Sequence, residues 1–215
     1  MADATHAIWQ DPTGYDHDLH GPPYLPPKTA AEVKPVVRAL IRTAAHGKVG
    51  NHQAVFDSLI AAYGTLPKPE LGALLAFLRT LAVIHQSHHW QTRGEAFYAD
   101  HLLFDRLYND VIPEIDGVAE RAVGSGSRML VAPALQVVQV GELTKVLYHG
   151  ASPDPAAPDL IALSLHAELW FLIFVQGVAR RMKAAGALSR GTDNLLAGIE
   201  DKHEEHVYLL KQRKA

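Results

Sequence analysis

Five residues between positions 89 and 120 have the types and spacing of metal ligands: His89, His101, Asp105, Asp116 and Glu120. His101 and Asp105 are four residues apart, as are Asp116 and Glu120. On a helix each pair projects from one face, one turn apart, and forms a two-ligand half-site. The step from Asp105 to Asp116 is eleven residues, close to three whole turns, so both pairs share a face. Centre to centre, however, they are fifteen residues apart, roughly 22 Å along the axis, and one straight helix cannot bring both to one ion. One economical way to close the site is a second copy packed antiparallel about a two-fold axis near residues 110 and 111. Asp105 of one copy then faces Asp116 of the other, and His101 faces Glu120, giving two equivalent sites from one isologous contact. The spacing therefore predicts an oligomer. His89, twelve residues before His101 across a turn at Gly94, is placed to fold back as a fifth ligand. Two imidazoles and three carboxylates suit iron, and other borderline divalent metals less selectively.

The elements that must position these residues read as helices. Leu71, Leu74, Leu75, Leu78 and Leu81 recur at helical spacing in a segment from about 69 to 89. A second helix, about 95 to 123, carries both half-sites and contains Pro113, which removes a backbone hydrogen bond and should bend it near the proposed two-fold axis. A Gly- and Pro-containing link follows, with a short extra helix over about 134 to 148. The third helix, about 158 to 185, is apolar on nearly every side around Leu169 to Val175, so burial on more than one side is expected. The fourth, about 192 to 211, turns Leu195, Leu196, Ile199 and Leu209 to the core. Nothing reads as strand. Four long helices with one long connection between the second and third describe an all-α, ferritin-like four-helix bundle over residues 67–215.

In front of the bundle, residues 1–66 form an extension. Residues 1–27 are an irregular arm broken by prolines, with four Asp, no Lys or Arg, and the polar cluster Asp16, His17, Asp18 and His20. That cluster is either a metal ligand set or, on the plainer reading, a solvated turn. Residues 29 to 63 read as two short helices, the first with Lys34, Arg38 and Arg42 as a basic stripe that is most simply a wet amphipathic face.

Composition limits the remaining choices. The chain has 215 residues, 48% of them hydrophobic, which is enough for one well-formed core. A net charge of −3 argues against a strong polyanion binder on charge alone. Absence of Cys excludes disulfides and thiolate ligands. No basic segment followed by an apolar run opens the chain, and the longest apolar run, Leu169 to Val175, has seven residues, too few to span a bilayer. A cytoplasmic protein without a membrane partner is the expectation.

The pattern His-Trp-x-x-x-Gly-x-x-Phe-x-x-x-His-x-x-x-Asp from His89 to Asp105, followed by Asp-x-x-x-Glu-Arg from Asp116 to Arg121, resembles the signature of the Dps family, the DNA-protection-during-starvation mini-ferritins. The likeness covers roughly residues 67 to 213 and is most specific in the second helix. It implies a hollow dodecamer that oxidises ferrous iron, preferentially with hydrogen peroxide, and stores the ferric mineral. The resemblance assigns His89, His101 and Asp105 to one subunit of each ferroxidase site and Asp116 and Glu120 to the other, with Trp90 as the adjacent aromatic.

Residues 1–66 depart from the family pattern in length and in lacking a Lys-rich tail. DNA as a partner rests on Lys211, Arg213 and Lys214 alone. The alternative function is a Dps-like cage acting mainly as a DNA-compacting or partner-binding particle. Glu200-x-x-His203 imitates a di-iron motif held within one subunit, but no matching copy occurs on another helix. His203, His206, His166 and Glu168 are accordingly read as packing or hydrogen-bonding residues, and His85 and His88 as candidates for a weak transit metal.

Overall fold

The computed structural model describes residues 52–125, 127–148, 151–152 and 155–214. The arm, its Asp16 to His20 cluster and the basic stripe at Lys34, Arg38 and Arg42 lie outside the described residues. Within them the chain is all helical: α1 His52–Ala61, α2 Pro69–Gln91, α3 Phe97–Gly124, a 3-10 turn Arg128–Val131, α4 Pro133–Leu147, α5 Ala157–Ala184 and α6 Arg190–Lys214. Helices α2, α3, α5 and α6 form the ferritin-like bundle, with α4 inserted in the long connection and packed on α2.

Local chemistry sets the helix ends. Pro69 opens α2, where its fixed φ suits the first turn and its missing N–H has no partner to lose. The α2–α3 turn passes through Gly94 at φ +85°, a conformation that costs glycine little. Helix α5 closes in a Schellman motif: Gly186 at φ +65° donates to the Lys183 carbonyl at 3.0 Å, and Ala187 donates to that of Met182 at 2.8 Å. Helix α3 runs unbroken through Pro113. The Asn109 carbonyl loses its intrahelical donor there, but both residues are exposed and water can serve it.

The main apolar cluster contains an edge-to-face chain of rings. Phe56 meets Phe174 with centroids 5.1 Å apart, Phe174 meets Phe77 at 5.2 Å, and Phe77 meets Phe171 at 5.3 Å. Phe56 comes from α1, so this short helix packs into the bundle core with Val55, Leu59 and Ile60. Its seat on α5 is Gly177, where a Cβ would lie 2.9 Å from the Phe56 ring. Tyr63, just after α1, reaches the Gly72 carbonyl at 2.7 Å and accepts from Gln136 of α4 at 2.8 Å, tying three elements together. A second apolar cluster, with Phe104, Leu107, Ile161 and Leu210, fills the other end of the bundle.

Two details differ from the sequence expectation. Leu210, not Leu209, is the fully buried leucine near the end of α6. Helix α5 is long and apolar enough to cross a membrane by length and composition, although its uninterrupted apolar run is only Leu169 to Val175. Half of its most apolar window is buried among the other helices, and the carboxylate of Glu168 sits in the middle of it, as suits a bundle core helix. Its outer face leaves Leu169 and Ile173 exposed on the single chain.

Candidate functional site

The α2–α3 turn folds His89 back onto His101. The rings stack with centroids 3.7 Å apart. Their hydrogen bonds are reciprocal: His89 Nδ1 meets the His101 carbonyl at 3.0 Å, and His101 Nδ1 meets the His89 carbonyl at 3.0 Å. A carbonyl only accepts, so both Nδ1 atoms must carry the proton. When these rings are neutral, both Nε2 atoms therefore keep their lone pairs for a metal, the tautomer lock typical of ligating histidines. Thr92 reinforces the turn by donating to the His89 carbonyl at 2.9 Å. Asp105 stands one turn beyond His101 and is half-buried, whereas Asp116 and Glu120 lie further along α3 and are exposed. Trp90, beside His89, is 70% exposed. The structure thus brings His89 and His101 together within one chain. The five residues do not form a closed ligand set there: among the described residues, the group of three or more ligand-type side chains with converging atoms lies elsewhere.

That group is Glu168, His203 and His206, whose candidate ligand atoms all lie within 4.8 Å of one another. It occupies a polar layer between the two apolar clusters, with Phe171 against His203 at 4.2 Å and Phe104 against His88 at 5.2 Å. Glu168 is fully buried on α5. Its Oε2 meets His203 Nδ1 at 2.5 Å, and its Oε1 meets His206 Nδ1 at 3.2 Å and His85 Nε2 at 2.7 Å. The outer ring nitrogens have partners of their own. His203 Nε2 faces Glu114 at 2.9 Å and His206 Nε2 faces Asp110 at 3.3 Å, both from α3. From His85 a chain continues through Ser164, at 3.2 Å, to His88, at 2.7 Å, and on to the Tyr148 hydroxyl.

Charge in this layer follows from these contacts. Burial alone would raise Glu168, but the charge of His203 and hydrogen bonds from His203, His206 and His85 hold it well below the usual carboxylate range. Burial opposes a charge on His203, yet Glu168 and Glu114 on either side push it up to about 9. Burial lowers His85 despite its contact with Glu168, and lowers His88 to about 3, so both rings are neutral near pH 7.

The expectation of hydrogen bonding at Glu168, His203 and His206 agrees with these contacts, whereas the convergence of the group, and the entry of His85 and His88 into it by hydrogen bonds, goes beyond the sequence expectation. The signal lay in His85-x-x-His88, Asp110-x-x-x-Glu114 and His203-x-x-His206, three pairs at one-turn spacing on three helices. Glu200, singled out beside His203, belongs elsewhere and accepts from Gln176 at 2.7 Å.

No family model matches the chain. It is 28% identical over 165 residues to a nutrient stress-induced DNA-binding protein of Nostoc sp., covering 76% of this chain and 84% of that one. A stretch of 60 residues is 38% identical to DNA protection during starvation protein 1 of Deinococcus radiodurans, covering 28% of this chain and 29% of that protein. Among solved structures, DpsC from Streptomyces coelicolor superposes with a TM-score of 0.60 at 26% identity, over 69% of this chain and 83% of that one. In sequence and in fold the chain is similar to proteins of the Dps family. His89, His101 and Asp105 thus lie near the α2–α3 turn, Asp116 and Glu120 lie further along α3, and the buried layer around Glu168 is a separate feature of the same chain.

Proposed function

We propose that this protein is a Dps-type cytoplasmic ferroxidase and iron-storage mini-ferritin, with ferrous iron as substrate and a twelve-subunit cage as its assembly. His89, His101 and Asp105 of one subunit and Asp116 and Glu120 of a two-fold-related subunit bind the iron. The observation that carries this reading is the reciprocal Nδ1–carbonyl pairing of His89 and His101, which leaves both Nε2 atoms as ligands in a partly exposed half-site. The donor set fits iron: imidazoles accept the ferrous state, and carboxylates favour the ferric product by neutralising its added charge. Two ferrous ions each give one electron, the O–O bond of hydrogen peroxide breaks, and two protons complete two waters. Because both electrons are delivered at one site, no hydroxyl radical is released. Asp105 and Glu120 are the bridging or chelating carboxylates, and Trp90 stands beside the site to intercept a stray oxidising equivalent.

The names of the relatives make DNA protection the second reading, with the cage acting mainly as a DNA-compacting particle. Of the terminal cations, Arg213 is paired with buried Asp100, its Nε lying 2.5 Å from the carboxylate, which leaves Lys211 and Lys214.

The deciding experiment replaces His101 and Asp105 together with Ala and follows ferric absorbance after ferrous iron and peroxide are added. Rapid oxidation should disappear while the assembly stays intact. Oxidation kinetics equal to wild type would overturn the assignment. A salt-sensitive DNA mobility shift accompanied by little oxidation in the wild type would favour the second reading.

A further inference from the structure

The buried layer around Glu168 has a proton count that its geometry makes awkward. His203 and His206 each have a carboxylate oxygen opposite both ring nitrogens: Glu168 and Glu114 for His203, Glu168 and Asp110 for His206. An ionised carboxylate only accepts, and a neutral imidazole has a single N–H. Each neutral ring must therefore turn one lone pair towards a carboxylate. Filling both gaps with protons places two imidazolium rings side by side, centroids 4.9 Å apart, in a fully buried position. One divalent cation would replace both protons, taking the two Nδ1 lone pairs and a carboxylate oxygen of Glu168 while leaving both Nε2–H groups to donate to Glu114 and Asp110.

We propose that Glu168, His203 and His206 bind one divalent transition-metal ion inside each subunit, separate from the shared site, with Glu114 and Asp110 orienting the two histidines. Two imidazoles and one carboxylate are the donor set of mononuclear ferrous and zinc centres that keep coordination positions open. Carboxylates on the far nitrogens of ligating histidines fix the tautomer and raise ligand basicity. His203 and His206 are three apart on α6 and point the same way, while Glu168 comes from the adjacent helix α5. His85 grips Glu168 Oε1 from α2 at 2.7 Å, so all four bundle helices hold the site.

The test uses the full chain with His101 and Asp105 replaced by Ala, which removes the shared site, after stripping with a chelator. Cobalt(II) is titrated while d–d absorption is followed, and bound metal per subunit is measured by mass spectrometry. The same measurements are made after adding Glu168→Gln. The parent should hold one more cobalt per subunit than the Glu168→Gln variant, whose affinity at this site should fall at least a hundredfold. Glu114→Gln should weaken it about ten- to a hundredfold by releasing His203. Equal stoichiometry and affinity in parent and Glu168→Gln would overturn the proposal, as would a parent that binds no metal. Where Glu168→Gln does not fold, X-ray absorption of the zinc-loaded parent decides: two imidazoles in the coordination shell support the site, and fewer than two overturn it. Because the parent lacks the shared site, failure here leaves the ferroxidase reading untouched, and loss of iron oxidation in that parent leaves this site untouched.

Discussion

The two histidine–carboxylate groupings in this subunit solve the same chemical problem in opposite surroundings. At the α2–α3 turn, His89, His101 and Asp105 lie near the surface, and each ring is held by a backbone carbonyl of the other. In the bundle interior, Glu168, His203 and His206 are buried, and the rings are held by carboxylates from a neighbouring helix. On the proposed reading, the first grouping is half a site that a second subunit would complete. The second is closed within one chain and serves the fold as well as any ligand, because removing a partner strands a charge away from water. Completeness within the subunit and structural cost therefore go together, and each can be measured.

The largest effect expected from the shared site is complementation. Subunits carrying His101→Ala and Asp105→Ala should be inactive, as should subunits carrying Asp116→Ala and Glu120→Ala. Co-assembled at random in equal amounts, half of the two-fold pairs are mixed, and each mixed pair holds one intact site of its two. Iron oxidation should return to about a quarter of the wild-type rate. A mixture as inactive as its components would break the contrast by placing the site within one subunit.

Next in size is the stability difference between the groupings. His203→Ala leaves Glu168 and Glu114 facing an unfilled gap in the core and should destabilise the subunit by about 3–5 kcal/mol in urea unfolding. His101→Ala, near the surface, should change stability by no more than about 1 kcal/mol. Equal costs for the two would remove the distinction drawn here between a site built for exchange and one built into the core.

Two glycine substitutions test the supports. A Cβ on Gly72 would meet the Tyr63 ring at 2.6 Å, close to where that ring also bonds the Gly72 carbonyl and Gln136. Gly72→Ala should cost about 1–3 kcal/mol by overpacking, read from the urea midpoint, with iron oxidation unchanged because the turn at His89 and His101 is elsewhere. Gly94→Ala meets no neighbouring atom but forces alanine to φ +85°, a cost of about 1–2 kcal/mol. Since this residue sets the turn that stacks His89 on His101, its variant should lose iron oxidation out of proportion to its small loss of stability.

Much of this architecture was legible in advance because helical signals are local. The leucine period of α2, the Pro69 start, the Gly94 and Gly186 turns and the one-turn spacing of His101 with Asp105 all act within a few residues of the chain. The same locality made the proposed half-sites readable, since both ride on one helix and their separation is simple arithmetic. The buried layer escaped because its members are spread across four helices, with Glu168 its one titratable member on α5. Its histidine pairs at 85 and 88 and at 203 and 206 have the same spacing as ordinary helix-face residues.

The sequence by itself determined the helices, their ends and a ligand set too widely spaced to close within one straight helix. Only the tertiary structure decided which helix faces meet. That choice depends on packing between residues far apart in the chain, such as Phe77 with Phe171 and Phe174, and it is packing of this kind that carries Glu168 to within hydrogen-bonding distance of three histidines.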